Sequence, residues 1–138
     1  MLGGIAVDCE FGAVGHSDAD VLAHAISDAL LGACALGDLG MHFPDTDSRY
    51  RGADSMQLLQ ACAALVKSHG FSLGNVDATV IVEHPKLAPY VERMRERIAE
   101  VLDLEPQYVS VKVKSSEGMG YTGDGTGIAA QALACVTS

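Results

Sequence analysis

Two imidazoles and several carboxylates crowd the stretch Gly15-His16-Ser17-Asp18-Ala19-Asp20-Val21-Leu22-Ala23-His24. Ser17 or Asp18 is placed to N-cap the helix that follows, so its free N–H groups and positive dipole end face the position an anion would take. Asp20, His24 and Asp28 fall at i, i+4 and i+8 and stack on one helical face. A ligating imidazole usually gives its second N–H to a carboxylate, which makes Asp20 and Asp28 the expected supports of His24. One imidazole cannot hold zinc, which takes three or four protein ligands. The segment therefore reads as part of a metal or phosphate site that other residues complete, against the plainer reading of a solvated helix face.

Further clusters offer such residues. Asp38-Leu39-Gly40-Met41-His42-Phe43-Pro44-Asp45-Thr46-Asp47 is denser in Asp than an ordinary turn. Its carboxylates and amides could bind ribose hydroxyls or organise a metal; the alternative is a Pro-Asp turn with Asx-type hydrogen bonds. His84-Pro85-Lys86 follows a strand end and places a cation at the edge where sheet proteins take ligands; the alternative is a loop lysine. Lys112, Lys114, Ser115, Ser116 and Glu117 run into Gly118, Gly120, Gly123, Gly125 and Gly127. Cations, hydroxyls and close glycine backbone suit a phosphate pocket, and Glu117 could hold a hard cation between phosphates. This is neither a Walker A loop nor a Rossmann fingerprint, and a surface loop after a wet strand is the competing reading.

The elements that must position these residues follow from periodicity. Ile5, Val7, Cys9 and Phe11 alternate with Ala6, Asp8 and Glu10 after Gly3-Gly4, which predicts a strand in a small N-terminal hairpin. Val21, Leu22, Ala25, Ile26, Ala29, Leu30 and Ala33 have helical spacing, so a helix is expected from 17 to about 36, closed by Gly37. Residues 38–52 read as a loop, and Asp54 caps a second helix that Gly70 ends. The β-branched run 76–83 predicts a strand. Pro89 opens a third helix that buries Val91, Met94, Ile98, Val101 and Leu102. Strands are expected at 109–113 and 128–136, separated by the glycine-dense loop. Strands and helices mix without strict βαβ alternation, so the expected fold is α+β: a mixed sheet of about four main strands with helices packed on one face.

With 138 residues, 49% of them apolar, the sequence suits a single domain over 1–138. A formal net charge of −9 argues against general nucleic-acid binding, although lysines, helix N-termini and a metal can still create local positive potential for a small anion. The longest apolar run is short and interrupted by Gly32, and no secretory leader opens the sequence, so a cytoplasmic protein with no membrane partner is expected. Cys9, Cys34, Cys62 and Cys135 are widely spaced without a C-x-x-C pair and read as reduced residues, mostly in the core.

Taken together and in this order, the clusters resemble the 2-C-methyl-D-erythritol 2,4-cyclodiphosphate synthase family of the non-mevalonate isoprenoid pathway. The resemblance rests on His16-Ser17-Asp18-Ala19-Asp20-Val21 with His24, on Leu36-Gly37-Asp38-Leu39-Gly40 with Phe43-Pro44-Asp45-Thr46-Asp47, and on Gly52-Ala53-Asp54-Ser55. It continues through Leu73-Gly74-Asn75-Val76-Asp77, Pro85-Lys86, and Val111-Lys112 onward to Gly120-Tyr121-Thr122-Gly123, covering nearly the whole chain.

The resemblance implies a homotrimer with active sites between neighbouring subunits. It implies an intramolecular phosphoryl transfer, in which the 2-phosphate of 4-diphosphocytidyl-2-C-methyl-D-erythritol 2-phosphate attacks the β-phosphorus and CMP leaves. It further implies His24 as a zinc ligand, His16 and Ser115 steadying the transition state, and Glu117 holding magnesium or manganese. Asp38, Leu39, Gly40, Phe43, Asp45, Thr46 and Asp47 would line the erythritol phosphate side, and Val82, Pro85, Lys86 and Leu87 the cytidine. His16, Ser17, Lys114, Ser115, Ser116, Glu117 and Tyr121 would complete the substrate contacts. The family pattern also carries an Asp-x-His pair, the other two zinc ligands, upstream of the position Gly3-Gly4 holds; the sequence as given has no such pair, and Asp8-Cys9-Glu10 is explained by strand alternation. Ser115 and Ser116 stand where threonines are usual, which keeps the hydroxyl, and Asp124 stands where a basic residue is common near the trimer axis. A second reading is a catalytically impaired trimer that binds a cytidine nucleotide or an isoprenoid diphosphate without turnover.

Overall fold

The computed structural model describes residues 1–7, 20–83, 86–120 and 127–138. The elements are α1 (Val21–Ala33), a short α2 (Leu39–His42), α3 (Ser55–Ser68), β1 (Ser72–Ile81), α4 (Val91–Leu102), β2 (Val109–Lys114) and β3 (Ala129–Thr137). Single 3₁₀ turns, Ala88–Tyr90 and Pro106–Tyr108, lead into α4 and β2. Pro89 lies in the first of these turns, where its fixed φ prepares the helix.

The sheet order is β2-β1-β3. β1 runs parallel to β2, from Val76 opposite Val109 to Ile81 opposite Lys114, and antiparallel to β3, from Ser72 opposite Thr137 to Ile81 opposite Ala129. A parallel pair requires a crossover, and α4 lies within it. β1 starts at Ser72, earlier than its β-branched run, because Ser72 and Leu73 pair with Thr137 and Val136 of β3 beyond a register shift between Leu73 and Asn75. A Cβ on Gly74 would lie 2.9 Å from the Cys135 carbonyl oxygen, so only glycine permits this close approach.

Val76, Ala78 and Val80 point into a core shared with Leu22, Ile26 and Leu30 of α1, Leu59 and Val66 of α3, and Met94, Ile98 and Leu102 of α4. Ser110, Lys112 and Lys114 of β2 and Gln131, Leu133 and Cys135 of β3 are exposed on the opposite side, so the helices cover one face as expected. Cys135 is thereby a surface residue, contrary to the core reading of the cysteines, whereas Cys62 is buried and its thiol is pushed up to about 11 by that burial. Among the described residues no helix is long and apolar enough to cross a membrane.

Two expectations are corrected. The described sheet has three strands, not about four: among the described residues Leu2 and Ile5 form only an isolated bridge with each other, by N–H···O bonds of 2.9 and 3.0 Å across Gly3-Gly4. Both glycines have positive φ, the requirement of a type I′ turn. Their N–H groups are taken by the Asp20 carboxylate, which docks this turn on α1. Residues 5–7 belong to no strand, and residues 8–11 lie outside the described part.

The second correction concerns α1, whose N-cap is Asp20; Ser17 and Asp18 lie outside the described residues. Its other end is set by Ala35 at φ +56, with Ala35 N–H on Gly32 O at 3.1 Å and Leu36 N–H on Leu31 O at 2.9 Å. This is a Schellman closure before Gly37, with alanine in the left-handed position that glycine usually fills. A left-handed alanine costs about 1–2 kcal/mol, part of which glycine returns as unfolded-state entropy. Ala35→Gly is therefore expected to stabilise by about 0.5–1 kcal/mol and raise the Tm by about 2–4 °C in thermal denaturation. An unchanged or lower Tm would contradict it.

Candidate functional site

His24 is half-buried on α1, but neither expected carboxylate supports it. Asp20 is 1% exposed; its Oδ1 accepts N–H groups from Gly3 (2.9 Å), Leu22 (3.1 Å) and Ala23 (3.0 Å), and its Oδ2 accepts from Gly4 (2.7 Å). Asp28 Oδ1 accepts the Leu39 N–H at 2.8 Å and so ties α1 to the start of α2. Backbone donors that would otherwise be unsatisfied claim both carboxylates. The partner of His24 is Ser55, whose Oγ lies 3.2 Å from Nε2 and also accepts the Asp20 N–H at 3.3 Å. Ser55 is the buried first residue of α3, behind the N-cap Asp54. Its role was not visible in the Gly52-Ala53-Asp54-Ser55 motif, because the contact spans 31 residues.

A cavity of about 700 Å³ opens beside this pair and gathers His24, Asp28, Asp38, Leu39, Gly40, Phe43, Pro44, Asp45, Thr46, Tyr50 and Ser55. Six residues expected on one side of the substrate thus meet His24 in one place. The 38–52 segment was read as a plain loop, yet α2 forms in it because Asp38 Oδ1 caps the Met41 N–H at 2.9 Å. Phe43 packs edge-on to Tyr50, ring centroids 5.2 Å apart, and braces the wall. Asp47 does not line the cavity. Its carboxylate takes the Arg49 N–H at 2.9 Å and Arg49 Nη2 at 2.8 Å, and the guanidinium holds its carboxyl below the usual range.

Carboxylates from Asp28, Asp38 and Asp45 beside an imidazole suit hydroxyl groups and a cation; a bare phosphate would need added positive charge. Among the described residues no three His, Cys, Asp or Glu side chains converge closely enough to hold a metal. His24 offers ring nitrogen, but these residues alone do not make a zinc site.

The second group lies at the carboxyl edge shared by the parallel strands, where Ile81 stands opposite Lys114 and Val82 N–H donates to Lys114 O at 3.0 Å. Lys86, Lys114, Ser115 and Glu117 are exposed there, while the Val82 and Leu87 side chains are buried in the core. The structure therefore does not present Val82 and Leu87 to a ligand at this edge, contrary to the expectation that they face the cytidine. Lys112 turns away to pair with Asp77 at 2.9 Å on the open sheet face.

Glu83 organises this edge and was missed by the sequence reading. Its Oε1 accepts from Ser115 Oγ at 2.5 Å, from Gly118 N–H at 3.2 Å and from Ser116 Oγ at 3.5 Å. The Ser115 bond, then the Gly118 bond, holds its carboxyl below the usual range. Ser115 Oγ in turn accepts the Glu117 N–H at 2.8 Å. Glu117 is an exposed carboxylate, and oxygen of that kind suits a hard divalent cation. The cavity around His24 takes in none of these residues. His16, Ser17, Pro85 and Tyr121 lie outside the described residues.

The chain matches the model of the YgbB family over residues 1–137. It is similar to a 2-C-methyl-D-erythritol 2,4-cyclodiphosphate synthase of Trichlorobacter lovleyi, 50% identical over 133 residues, which are 96% of this chain and 85% of the relative. A protein of the same name from Burkholderia mallei is 55% identical over 136 residues, 99% of this chain and 84% of that one. Among solved structures, a 2C-methyl-D-erythritol-2,4-cyclodiphosphate synthase in a CDP-bound form superposes with a TM-score of 0.89 at 32% identity, over 99% of this chain and 89% of its own. A family match over residues 1–137, relatives 50–55% identical and a fold shared over nearly the full length place this chain in the YgbB family.

Proposed function

We propose that this protein converts 4-diphosphocytidyl-2-C-methyl-D-erythritol 2-phosphate into 2-C-methyl-D-erythritol 2,4-cyclodiphosphate and CMP. The observation that carries the reading is the cavity joining His24 to Asp38, Leu39, Gly40, Phe43, Asp45 and Thr46, in a chain 50–55% identical to proteins of that name. An oxygen of the 2-phosphate attacks the β-phosphorus, a new P–O bond closes the ring, and the bond to CMP breaks with its electron pair leaving on CMP. No protein nucleophile is required, so the work of the chain is positioning and charge stabilisation.

The cavity holds the erythritol phosphate end, with Asp38 and Asp45 placed for hydroxyl groups. The edge carrying Lys86, Lys114, Ser115, Ser116 and Glu117 holds the cytidine diphosphate end, with Ser115 and His16 steadying the reacting phosphates. The two groups occupy different parts of one chain, which supports a homotrimer whose sites are completed between neighbouring subunits. Leu133, 74% exposed on the uncovered sheet face, supports that assembly. A zinc ion on His24 and a magnesium or manganese ion on Glu117 would supply Lewis-acid charge to the phosphate oxygens.

The test is to incubate the purified protein with this substrate and a divalent salt, following CMP by chromatography and assembly by analytical ultracentrifugation. CMP formed in step with the cyclic diphosphate by a trimer is expected. CDP binding without CMP release would favour the non-catalytic reading instead.

A further inference from the structure

Glu117 has φ +54 and Gly118 has φ +82, so two successive residues of the phosphate-side loop are left-handed and only one of them is glycine. A non-glycine residue is strained in that region and persists where its surroundings over-determine it. Here the surroundings are explicit. The N–H of Glu117 is held by Ser115 Oγ, the N–H of Gly118 by Glu83 Oε1, and Ser115 Oγ itself donates to that same oxygen at 2.5 Å. Ser116 Oγ is a further, longer contact at 3.5 Å. One carboxylate oxygen, carried at the end of β1, therefore fixes the residues on both sides of Glu117.

We propose that Glu83 is a positioning residue that clamps the Ser115–Gly118 loop so that the Glu117 carboxylate is presented to the diphosphate. This rests on the assignment of the edge to the diphosphate end given above. The clamp needs an acceptor oxygen with the reach of a glutamate side chain; it does not need the full negative charge. Glutamine supplies an acceptor with the same reach, and alanine supplies none. Replacing a partner that orients a ligating carboxylate typically lowers metal affinity about 10–100-fold.

The experiment compares wild type, Glu83→Gln and Glu83→Ala by two readouts independent of turnover. The first is Mn²⁺ binding in the presence of CDP, followed by electron paramagnetic resonance; the second is hydrogen exchange of the Gly118 amide. Glu83→Ala is expected to weaken Mn²⁺ binding about tenfold or more and to lose Gly118 protection, with a far-UV circular dichroism spectrum like wild type. Glu83→Gln is expected to remain within about threefold of wild type and to keep the protection. The proposal is overturned if Glu83→Ala binds Mn²⁺ as wild type does, or if Glu83→Gln fails as badly as alanine in either readout. Absence of CMP release by wild-type protein would instead strike the proposed reaction, and both comparisons would still decide the clamp.

Discussion

Asp20→Ala is expected to destabilise the protein by about 3–5 kcal/mol, the largest effect of any single substitution considered. The carboxylate is buried and accepts four backbone N–H groups, two from the start of α1 and two from the Gly3-Gly4 turn. Alanine removes the helix cap, worth about 1 kcal/mol, and leaves buried donors that cannot all reach water. It also frees a turn whose glycine N–H groups have these bonds at 2.9 and 2.7 Å. Asp54 makes a useful reference, since its carboxylate caps the single Met56 N–H at 2.9 Å and Asp54→Ala should cost about 1 kcal/mol. Asp20→Asn should fall between, because one oxygen can keep the three bonds of Oδ1 while the amide NH₂ opposes the Gly4 N–H. Urea denaturation of the four proteins at neutral pH gives the ranking directly. If Asp20→Ala were no worse than Asp54→Ala, the docking of the N-terminal turn through this carboxylate would be wrong.

Asp20 also shows where the sequence stopped being legible. The helix from 21 was visible in the spacing of Val21, Leu22, Ile26 and Leu30, but Ser17, Asp18 and Asp20 all have the chemistry of a cap. What selects Asp20 is a contact 16 and 17 residues back along the chain, which no local pattern encodes. By contrast, α3 was bounded correctly by Asp54 and Gly70, whose signals are local. Strand β3 was found, yet Leu133 and Cys135 alternate with Ala132, Ala134 and Val136 along it, so apolarity alone did not reveal that Cys135 faces outward.

The site divided in the same way. The Asp-rich segment and the Ser-Ser-Glu turn were legible as chemistry because residue types and glycines cluster there. Ser55 and Glu83 were not, since their partners His24 and Ser115 lie 31 and 32 residues away. The i, i+4 rule for Asp20 and Asp28 failed for a physical reason: a carboxylate near an unsatisfied backbone N–H forms that charge-assisted bond in preference to reaching a neighbouring imidazole.

The second large effect is on turnover. His24→Ala is expected to lower kcat/KM for CMP release by about 10²–10³-fold while shifting the Tm by no more than about 3 °C. The ring is half-buried, so its loss removes little packing. Its one described hydrogen bond is to Ser55 Oγ at 3.2 Å, and that oxygen keeps the Asp20 N–H when the ring is removed. Chemically the loss is much larger, because among the described residues His24 is the only imidazole lining the cavity that also holds Asp38 and Asp45. Among the described residues no other side chain lining that cavity is a nitrogen base, so none can replace the ring as a ligand or as a hydrogen-bond donor. Ser55→Ala should be milder, about tenfold, since the imidazole stays and only its orientation loosens. The order matters more than either value: orientation through Ser55 can count only if the ring it orients counts more. Steady-state kinetics with thermal denaturation on the same samples separates the cases, and a His24→Ala protein that turns over within about threefold of wild type would remove His24 from the reaction.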